Sequence, residues 1–249
     1  GNDTIYGGDE SCSGRRCNEG HTLGDTINGG AGNDTIYGGD ESCSGRECNT
    51  DGNLGDTIDG GTGNDTVNGG NESCSGNQCN LSYSGDNSNM GDTIIGSDGN
   101  DTINGGDESC SGRACNASWG DSNIGDTIDG GTGNDTINGG DESCSGAAYC
   151  NAADEKGTTN LGDTINGGDG ADTINGGDES CTGTKCNEKL TSSSASNLGD
   201  TINQNDDANN DDGDKDTITG GSESAAAGDG DKGDSCQTST TDGDSASGC

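Results

Sequence analysis

Aspartates recur at fixed positions along the chain, and they are the residues whose type and spacing could do chemistry. Each is followed by a threonine and an aliphatic residue, and a glycine lies one or two residues before it. Carboxylates are hard oxygen ligands, and glycine turns can point several carbonyls at one centre, which suits calcium. Pairs stand nine residues apart: Asp25 and Asp34, Asp56 and Asp65, Asp92 and Asp101, Asp126 and Asp135, Asp163 and Asp172.

The aspartates lie in a repeating unit that has one rigid part and one part of free length. Successive Gly-Asp-Thr-Ile segments are spaced by 31, 36, 34, 37 and 37 residues, beginning at Gly24. From the first glycine of a unit to its first cysteine the distance is always 19 residues, as from Gly24 to Cys43. All of the variation follows the second cysteine, which is typical of loops inserted on one face of a solenoid.

Apolar residues keep the same nine-residue step, and they indicate the secondary structure. Nine is not a helical period, and the Gly-Gly pairs would break a helix. Thr-Ile-Asn and Thr-Ile-Tyr are instead short β segments with the branched residue pointing inward. Two such strands on opposite sides form one coil, so the sequence predicts an all-β parallel solenoid with one coil per 31–37-residue repeat. The inward pairs are Ile27 and Ile36, Ile58 and Val67, Ile94 and Ile103, Ile128 and Ile137, Ile165 and Ile174.

The composition excludes several classes of partner. The net charge is −38, from 47 acidic and 9 basic residues. Nucleic acid and anionic membrane surfaces both require basic patches, and no apolar run is long enough for membrane insertion. A solvated acidic surface is the simpler interpretation of the charge, but the aspartates stand in register and therefore favour cations. Although only 22% of the residues are hydrophobic, strict periodicity and 14 cysteines argue against disorder.

The cysteines form local pairs, which predict disulfides, closed loops on one side of the stack and an oxidising compartment. A bridge between adjacent coils is the alternative, since spacing alone does not fix connectivity. Zinc is disfavoured because the spacing is not Cys-x-x-Cys and the chain has one histidine. The pairs are Cys12 and Cys17, Cys43 and Cys48, Cys74 and Cys79, Cys110 and Cys115, Cys144 and Cys150, Cys181 and Cys186, and the terminal Cys236 and Cys249.

The segment from Gly29 to Tyr37 matches the nonapeptide Gly-Gly-x-Gly-x-Asp-x-aliphatic-x, as do 60–68 and 130–138. Two units deviate, with Ser97 in place of the second glycine and Ala171 before the aspartate. The tandem motif resembles the RTX (repeats-in-toxin) family. That resemblance implies a right-handed parallel β-roll with several calcium ions bound in the turns between coils. The implied ligands are the carboxylates of Asp3, Asp34, Asp65, Asp101, Asp135 and Asp172 and the carbonyls of Gly30, Gly32, Gly61, Gly63, Gly131, Gly133, Gly168 and Gly170.

The other side of each coil departs from the family pattern, because Gly-Gly-Asp-Glu-Ser-Cys leads into the cysteine loop. Its aspartates are Asp25, Asp56, Asp92, Asp126, Asp163 and Asp200. They either bind a second column of calcium together with Asp40, Asp107, Asp141 and Asp178, or only cap turns. Two aliphatic side chains per coil bury too little area to offset chain entropy and stacked negative charge. We therefore expect the calcium-free chain to be largely unfolded.

These observations predict calcium-binding repeats over residues 1–221 and a Ser/Asp/Gly-rich cap or tail over 222–249. No Ser/His/Asp or Cys/His arrangement repeats, so we predict no enzymatic activity. The function expected is that of a secreted, extracellular structural protein that self-associates end to end as a fibre subunit or adhesin stalk. One alternative is ice binding by outward threonine ranks, which begin at Thr26 and Thr35. Another is the calcium-triggered repeat region of a larger secreted toxin or enzyme.

Overall fold

The computed structural model is a β-solenoid made of parallel strands, which confirms the predicted fold class. The structure describes residues 1–82, 87–118, 121–153, 158–182, 185–189, 195–203, 217–220, 224–225, 231–232, 235–237 and 245–247. Each coil passes in order through four parallel sheets, here named A, B, C and D. Each strand pairs with the equivalent strand of the next coil, so that like residues stack, as Ile94 does on Ile58 and Ile128.

Sheets A and D contain the two aspartate-threonine-aliphatic segments that the sequence predicts as strands. Their residues alternate between exposed threonine and buried isoleucine, because successive side chains of a strand point to opposite faces. Sheet A consists of Thr4–Tyr6, Thr35–Tyr37, Thr66–Asn68, Thr102–Asn104, Thr136–Asn138, Thr173–Asn175, Thr217–Thr219 and Ser245–Ser247. Sheet D consists of Thr26–Asn28, Thr57–Thr62, Thr93–Asp98, Thr127–Asp129, Thr164–Asn166, Thr201–Asn203 and Ser235–Gln237.

Sheets B and C are built from the segment that the sequence predicts as a loop. The structure therefore has four strands per coil where the sequence predicts two strands and an insertion. Sheet B consists of Ser11–Glu19, Ser42–Thr50, Ser73–Leu81, Ser109–Ser118, Ser143–Ala153, Ser180–Thr182 and Ser224–Ala225, with Lys185–Lys189 also paired to Ser143–Ala153. Sheet C consists of Thr22–Leu23, Asn53–Leu54, Ser88–Met90, Ser122–Ile124, Thr158–Leu161, Ala195–Leu198 and Asp231–Lys232.

The interior is divided into two apolar clusters. The isoleucine cluster lies between sheets A and D and holds Ile27, Ile36, Ile58, Val67, Ile94, Ile103, Ile128, Ile137, Ile165, Ile174 and Ile202. The cysteine-leucine cluster lies between sheets B and C and combines the stacked cysteines with Leu54, Met90, Ile124 and Leu161. Disulfides join Cys12 to Cys17, Cys43 to Cys48, Cys74 to Cys79 and Cys110 to Cys115 within single strands of sheet B.

Cys144 and Cys181 are also disulfide-bonded. The side chains of Cys150, Cys186 and Cys236, and all of Cys249, lie outside the described part of the structure. The disulfides between described partners close short segments of one strand and do not link one coil to the next. They therefore stiffen each coil, while backbone pairing and side-chain stacking hold the coils to each other.

A ladder of buried asparagines turns the chain from sheet B to sheet C. Asn49 has a φ of 45°, in the left-handed region that asparagine tolerates better than most residues. Its Nδ2 donates to Oδ1 of Asn80 at 2.8 Å and to the carbonyl of Asn89 at 2.7 Å. This corner thus satisfies its polar groups through contacts between coils.

The buried and exposed isoleucines of one strand give a direct test of the core. Ile94 is 0% exposed and Ile95 is 39% exposed. Replacing Ile94 by alanine should lower the free energy of unfolding by about 2–5 kcal/mol, since it leaves a cavity in close packing. Ile95→Ala, the matched control, should change it by less than about 0.5 kcal/mol. Urea denaturation in calcium measures both, and equal effects would contradict the strand orientation.

Candidate metal centres

The turn from sheet D to sheet A stacks one aspartate per coil into a column, here named the turn column. Oδ1 of each aspartate accepts a hydrogen bond from the backbone N–H of the aspartate one coil before it. These N–H···O distances are 2.7 Å from Asp3 to Asp34, 2.8 Å from Asp34 to Asp65, 2.7 Å from Asp65 to Asp101, 2.8 Å from Asp101 to Asp135 and 2.8 Å from Asp135 to Asp172. Backbone bonding thus fixes every carboxylate of this column after Asp3 in the same orientation.

The second oxygen of these carboxylates is buried and accepts no hydrogen bond at Asp34, Asp65, Asp101 and Asp135. Burial is the main cause that raises the pKa of Asp65, Asp101 and Asp135, and it raises that of Asp101 from 3.8 to about 6. An oriented, desolvated oxygen of this kind is a donor that a hard cation can take. Asp3 belongs to the first coil and is exposed.

Glycines shape this turn because its backbone enters the left-handed region. The second glycine of the motif has φ values of 92°, 99°, 100° and 91° at Gly30, Gly61, Gly131 and Gly168. Ser97 holds the same place with a φ of 78° and donates its hydroxyl to Asp59 at 3.0 Å. A Cβ at Gly32, Gly63, Gly133 or Gly170 would overlap the carbonyl of the residue one coil before it. These positions therefore need glycine for the close approach of successive turns.

The structure places the carbonyls that the resemblance implies as ligands in this same turn. The carbonyl of Gly30 accepts the N–H of Thr62 at 2.8 Å, and that of Gly131 accepts the N–H of Asp169 at 2.8 Å. One lone pair of each is used between coils, which leaves the second lone pair for a cation.

A second column of carboxylates, here named the inner column, runs between the two apolar clusters. Its aspartates precede sheet D, and each Oδ1 again accepts the backbone N–H of the aspartate one coil before it. The distances are 2.6 Å from Asp25 to Asp56, 2.6 Å from Asp56 to Asp92, 2.6 Å from Asp92 to Asp126, 2.7 Å from Asp126 to Asp163 and 2.8 Å from Asp163 to Asp200. Oδ2 of Asp56, Asp92, Asp126 and Asp163 is buried without a hydrogen bond.

The glutamates, and not the aspartates beside them, complete the inner column. Asp40, Asp107, Asp141 and Asp178, which the sequence analysis offered as partners of this column, are exposed in the structure. The adjacent Glu41, Glu72, Glu108, Glu142 and Glu179 are each 0% exposed. The alternation of sheet B was the signal: Cys43 points inward, so Glu41, two residues earlier, does too. Asn71 also replaces the aspartate in one unit that keeps Glu72.

Each glutamate meets two aspartates from successive coils. Glu41, Asp56 and Asp92 each offer an oxygen within 4.8 Å of the others, and Glu72, Asp92 and Asp126 repeat the arrangement. Burial, followed by lesser contributions that include the charge of Asp56, raises the pKa of Glu41 from 4.5 to about 9. Burial likewise raises the pKa of Asp92 to about 6 and that of Asp163 to about 7.

No positive side chain compensates these carboxylates in the described part of the chain, where the buried charged residues are all Asp or Glu. The described ion pairs lie at the surface, where Arg16 contacts Glu19 and Glu47 and the N-terminus contacts Asp3. A set of carboxylate and carbonyl oxygens without nitrogen or thiolate donors fits calcium better than zinc or copper.

The comparison with family models agrees with this chemistry. The model described as "RTX calcium-binding nonapeptide repeat (4 copies)" matches residues 1–10, 19–41, 51–72, 86–108, 122–142 and 158–179. The repeats within residues 1–179 belong to the RTX family. The RTX nonapeptide repeat binds calcium, and the matched segments contain both carboxylate columns except for Asp200. Searches of curated proteins and of solved structures found no match.

The gaps between the matched segments coincide with most of each sheet B strand, so the RTX match omits the cysteine segments. Across the described residues, no helix is long and apolar enough to cross a bilayer.

The raised pKa values predict an unusual pH dependence for the calcium-free RTX stack. Asp92 and Asp101 titrate near 3.8 when unfolded and near 6 when folded, and Asp163 near 7. Between these pH values the folded state binds more protons than the unfolded state. The stability that these three aspartates contribute is therefore present below about pH 4 and is lost as the pH rises through about 6–7. Circular dichroism in chelator should therefore show more β structure at about pH 5 than at about pH 8.

The control for this prediction is about 1 M NaCl, which screens surface repulsion but acts little on buried groups. The acid effect should persist in that salt. With calcium present the trend should reverse, because protons displace the metal from its ligands. Chelated protein whose stability rises with pH would contradict the burial of these carboxylates.

Proposed function

We propose that this RTX protein is a secreted, calcium-stabilised structural protein that serves as a subunit of an extracellular fibre or as an adhesin stalk. The observation that carries the proposal is a uniform stack of coils whose interior carries regularly spaced carboxylates. Such a stack gains rigidity when ions bind between its coils. The protein acts without enzymatic activity in this proposal, and several calcium ions per chain are part of its fold.

The calcium ions are assigned to the turn column first, through Asp34, Asp65, Asp101, Asp135 and Asp172 and the turn carbonyls. Repulsion within a chain of net charge −38 opposes folding until cations bind. Extracellular modules typically bind calcium with dissociation constants of about 0.1–1 mM. Disulfides also persist in oxidising compartments, so both features favour a protein that completes folding outside the cell.

End-to-end association would use the edge of a coil, as the coil that contains Thr4–Tyr6 illustrates. Its strands Thr4–Tyr6, Ser11–Glu19, Thr22–Leu23 and Thr26–Asn28 each pair on one side only. Ile5 and Leu23 are only partly buried there, so the edge offers both backbone groups and apolar surface. A second copy can continue such a stack by strand addition. Further repeats of a longer parent chain fit the same edge, which is the toxin or enzyme alternative.

Residues 222–249 are proposed as a cap. Short strands at 224–225, 231–232, 235–237 and 245–247 add one more coil to sheets B, C, D and A, respectively. Their sequence has few large apolar residues, which suits the end of a solenoid.

The folding and assembly proposed here are tested together on oxidised protein. Calcium should convert a largely disordered circular dichroism spectrum to β structure, with several ions per chain by calorimetry, because the metal neutralises the stacked carboxylates. Electron microscopy should then show filaments. A spectrum that is β-rich in chelator and unchanged by calcium would overturn the metal role.

Two variants of the first strand separate assembly from folding. Ile5→Lys places a charge on the inward side of the edge and should abolish filaments while the calcium-induced β signal remains. Tyr6→Lys is the matched control, since Tyr6 is 70% exposed and points outward, and it should still assemble. Wild-type protein that stays monomeric at high concentration in calcium would contradict the fibre proposal.

Ice binding is a second candidate, favoured by the outer face of sheet A. This face carries a rank of threonines beside an asparagine ladder, in which Asn104 donates to Asn68 at 2.8 Å and Asn138 donates to Asn104 at 2.9 Å. Thr66, Thr102, Thr136 and Thr173 are exposed in the rank. Sheet D is less uniform, because Asp59 and Ile95 share one outward column.

The structural proposal predicts no thermal hysteresis in calcium-loaded protein, since the stacked asparagines of this face hydrogen-bond to each other. Hysteresis in wild-type protein that is lost in Thr136→Tyr would establish ice binding by sheet A. The control is Thr127→Tyr on sheet D, where Thr127 is also exposed.

A further inference from the structure

We propose that the inner column is a second file of calcium sites, lined by glutamate and aspartate and closed to water, with one ion per coil. This inference rests on the proposed calcium-stabilised function and adds a class of site that the turn motif does not contain. The carboxylates that form it are Glu41, Glu72, Glu108 and Glu142 with Asp56, Asp92, Asp126 and Asp163.

The first argument is the sharing of ligands between coils. Asp92 belongs to the group with Glu41 and Asp56 and also to the group with Glu72 and Asp126. In each group the three oxygens lie within 4.8 Å of one another. Carboxylates at this separation repel unless a proton or a cation lies between them. Because the groups share members, one bound ion prepares the site of the next along the stack.

The second argument is the state of the individual oxygens. Both carboxylate oxygens of Glu41, Glu72, Glu108 and Glu142 are buried and accept no hydrogen bond from a backbone or amide N–H group or a hydroxyl group, so the polar groups that face them are neighbouring carboxyls. Surface-facing acidic clusters keep their water, but these glutamates are 0% exposed. The aspartates are held as firmly, since a Cβ at Gly69 would overlap Oδ2 of Asp92. The oxygens are thus fixed, dry and aimed at one another.

The third argument is charge. Each coil contributes one glutamate and one aspartate to this column, which is two negative charges, and one divalent cation neutralises them. Three carboxylates have six oxygens; the two aspartate Oδ1 atoms each already accept a backbone N–H, so they reach the six that calcium takes only through their second lone pairs. Magnesium prefers to retain water, so a dry column favours calcium over magnesium.

The two columns should therefore differ in hydration. The aspartates of the turn column after Asp3 are as buried as those of the inner column, but the turn beside them is exposed at residues such as Asn33 and Asn64. The inner column lies between the isoleucine cluster and the cysteine-leucine cluster. Ions in the turns keep access to water, whereas ions in the inner column have none.

Terbium tests this difference, because O–H groups of coordinated water shorten its luminescence lifetime. Lifetimes in H₂O and D₂O, measured by direct excitation of the terbium-loaded full chain, give the number of waters on each ion. We expect two populations, one hydrated and one with essentially no water. A single hydrated population would overturn the inner column even if every variant failed to fold.

Three variants assign the populations. Glu72→Gln should remove about one ion per chain from the dry population, because it takes away a charge and an oxygen that calcium requires. Asp101→Asn should remove an ion from the hydrated population. Asp129→Asn, at an exposed aspartate, should leave both populations intact. Elemental analysis of calcium in desalted protein counts the ions independently.

The outcomes separate this inference from the proposed function. Unchanged calcium and dry terbium in Glu72→Gln would show that Glu72 is protonated and does not ligate, which overturns the inner column alone. If Glu72→Gln lost only hydrated ions while its folding still depended on calcium, that result would also overturn the inner column alone. A chain that binds no calcium and folds in chelator would overturn the proposed function itself.

Discussion

The structure depends on the neutralisation of carboxylates that its backbone forces inward. In both columns an aspartate Oδ1 caps a backbone N–H of the preceding coil, as Asp92 does for Asp56. That bond helps to hold one coil to the next, and it brings a negative charge into the interior every time it is made. The remaining oxygen has no protein donor at Asp56, Asp92, Asp126 or Asp163. Protons or cations must neutralise this buried negative charge, so the stability of the fold depends on the pH and on the cations in solution.

The same side-chain contacts recur between each pair of adjacent coils along the stack. The Asn49 to Asn80 contact recurs from Asn80 to Asn116 and from Asn116 to Asn151, so every coil depends on its neighbours for polar partners. The isolated coil has few internal contacts of its own and little apolar area to bury. Cooperative formation of adjacent coils is the expected consequence, and it suits an extended protein more than a compact one.

The cysteine segments give this RTX chain a cross-section that the nonapeptide turn alone would not build. Sheet B adds a second apolar cluster lined by disulfides, and the glutamate immediately before a strand, such as Glu41 before Ser42, lies in the space between the clusters. Disulfides such as Cys43–Cys48 add rigidity within a strand. The insertion therefore widens the solenoid and at the same time creates the enclosure in which Glu41 and Glu72 are dry.

The sequence by itself determined the parallel stack, the inward isoleucines and the register of the aspartates, because these follow from a strict nine-residue step that any coil must respect. It also indicated the turn column through the motif from Gly29 to Tyr37. Only the tertiary structure decided that the cysteine segments form sheets B and C and that Glu41, not Asp40, faces the interior. The physical reason is that inward and outward faces in the inserted segment are set by the corners on either side. Those corners, including the left-handed Asn49, form through contacts with residues one coil away.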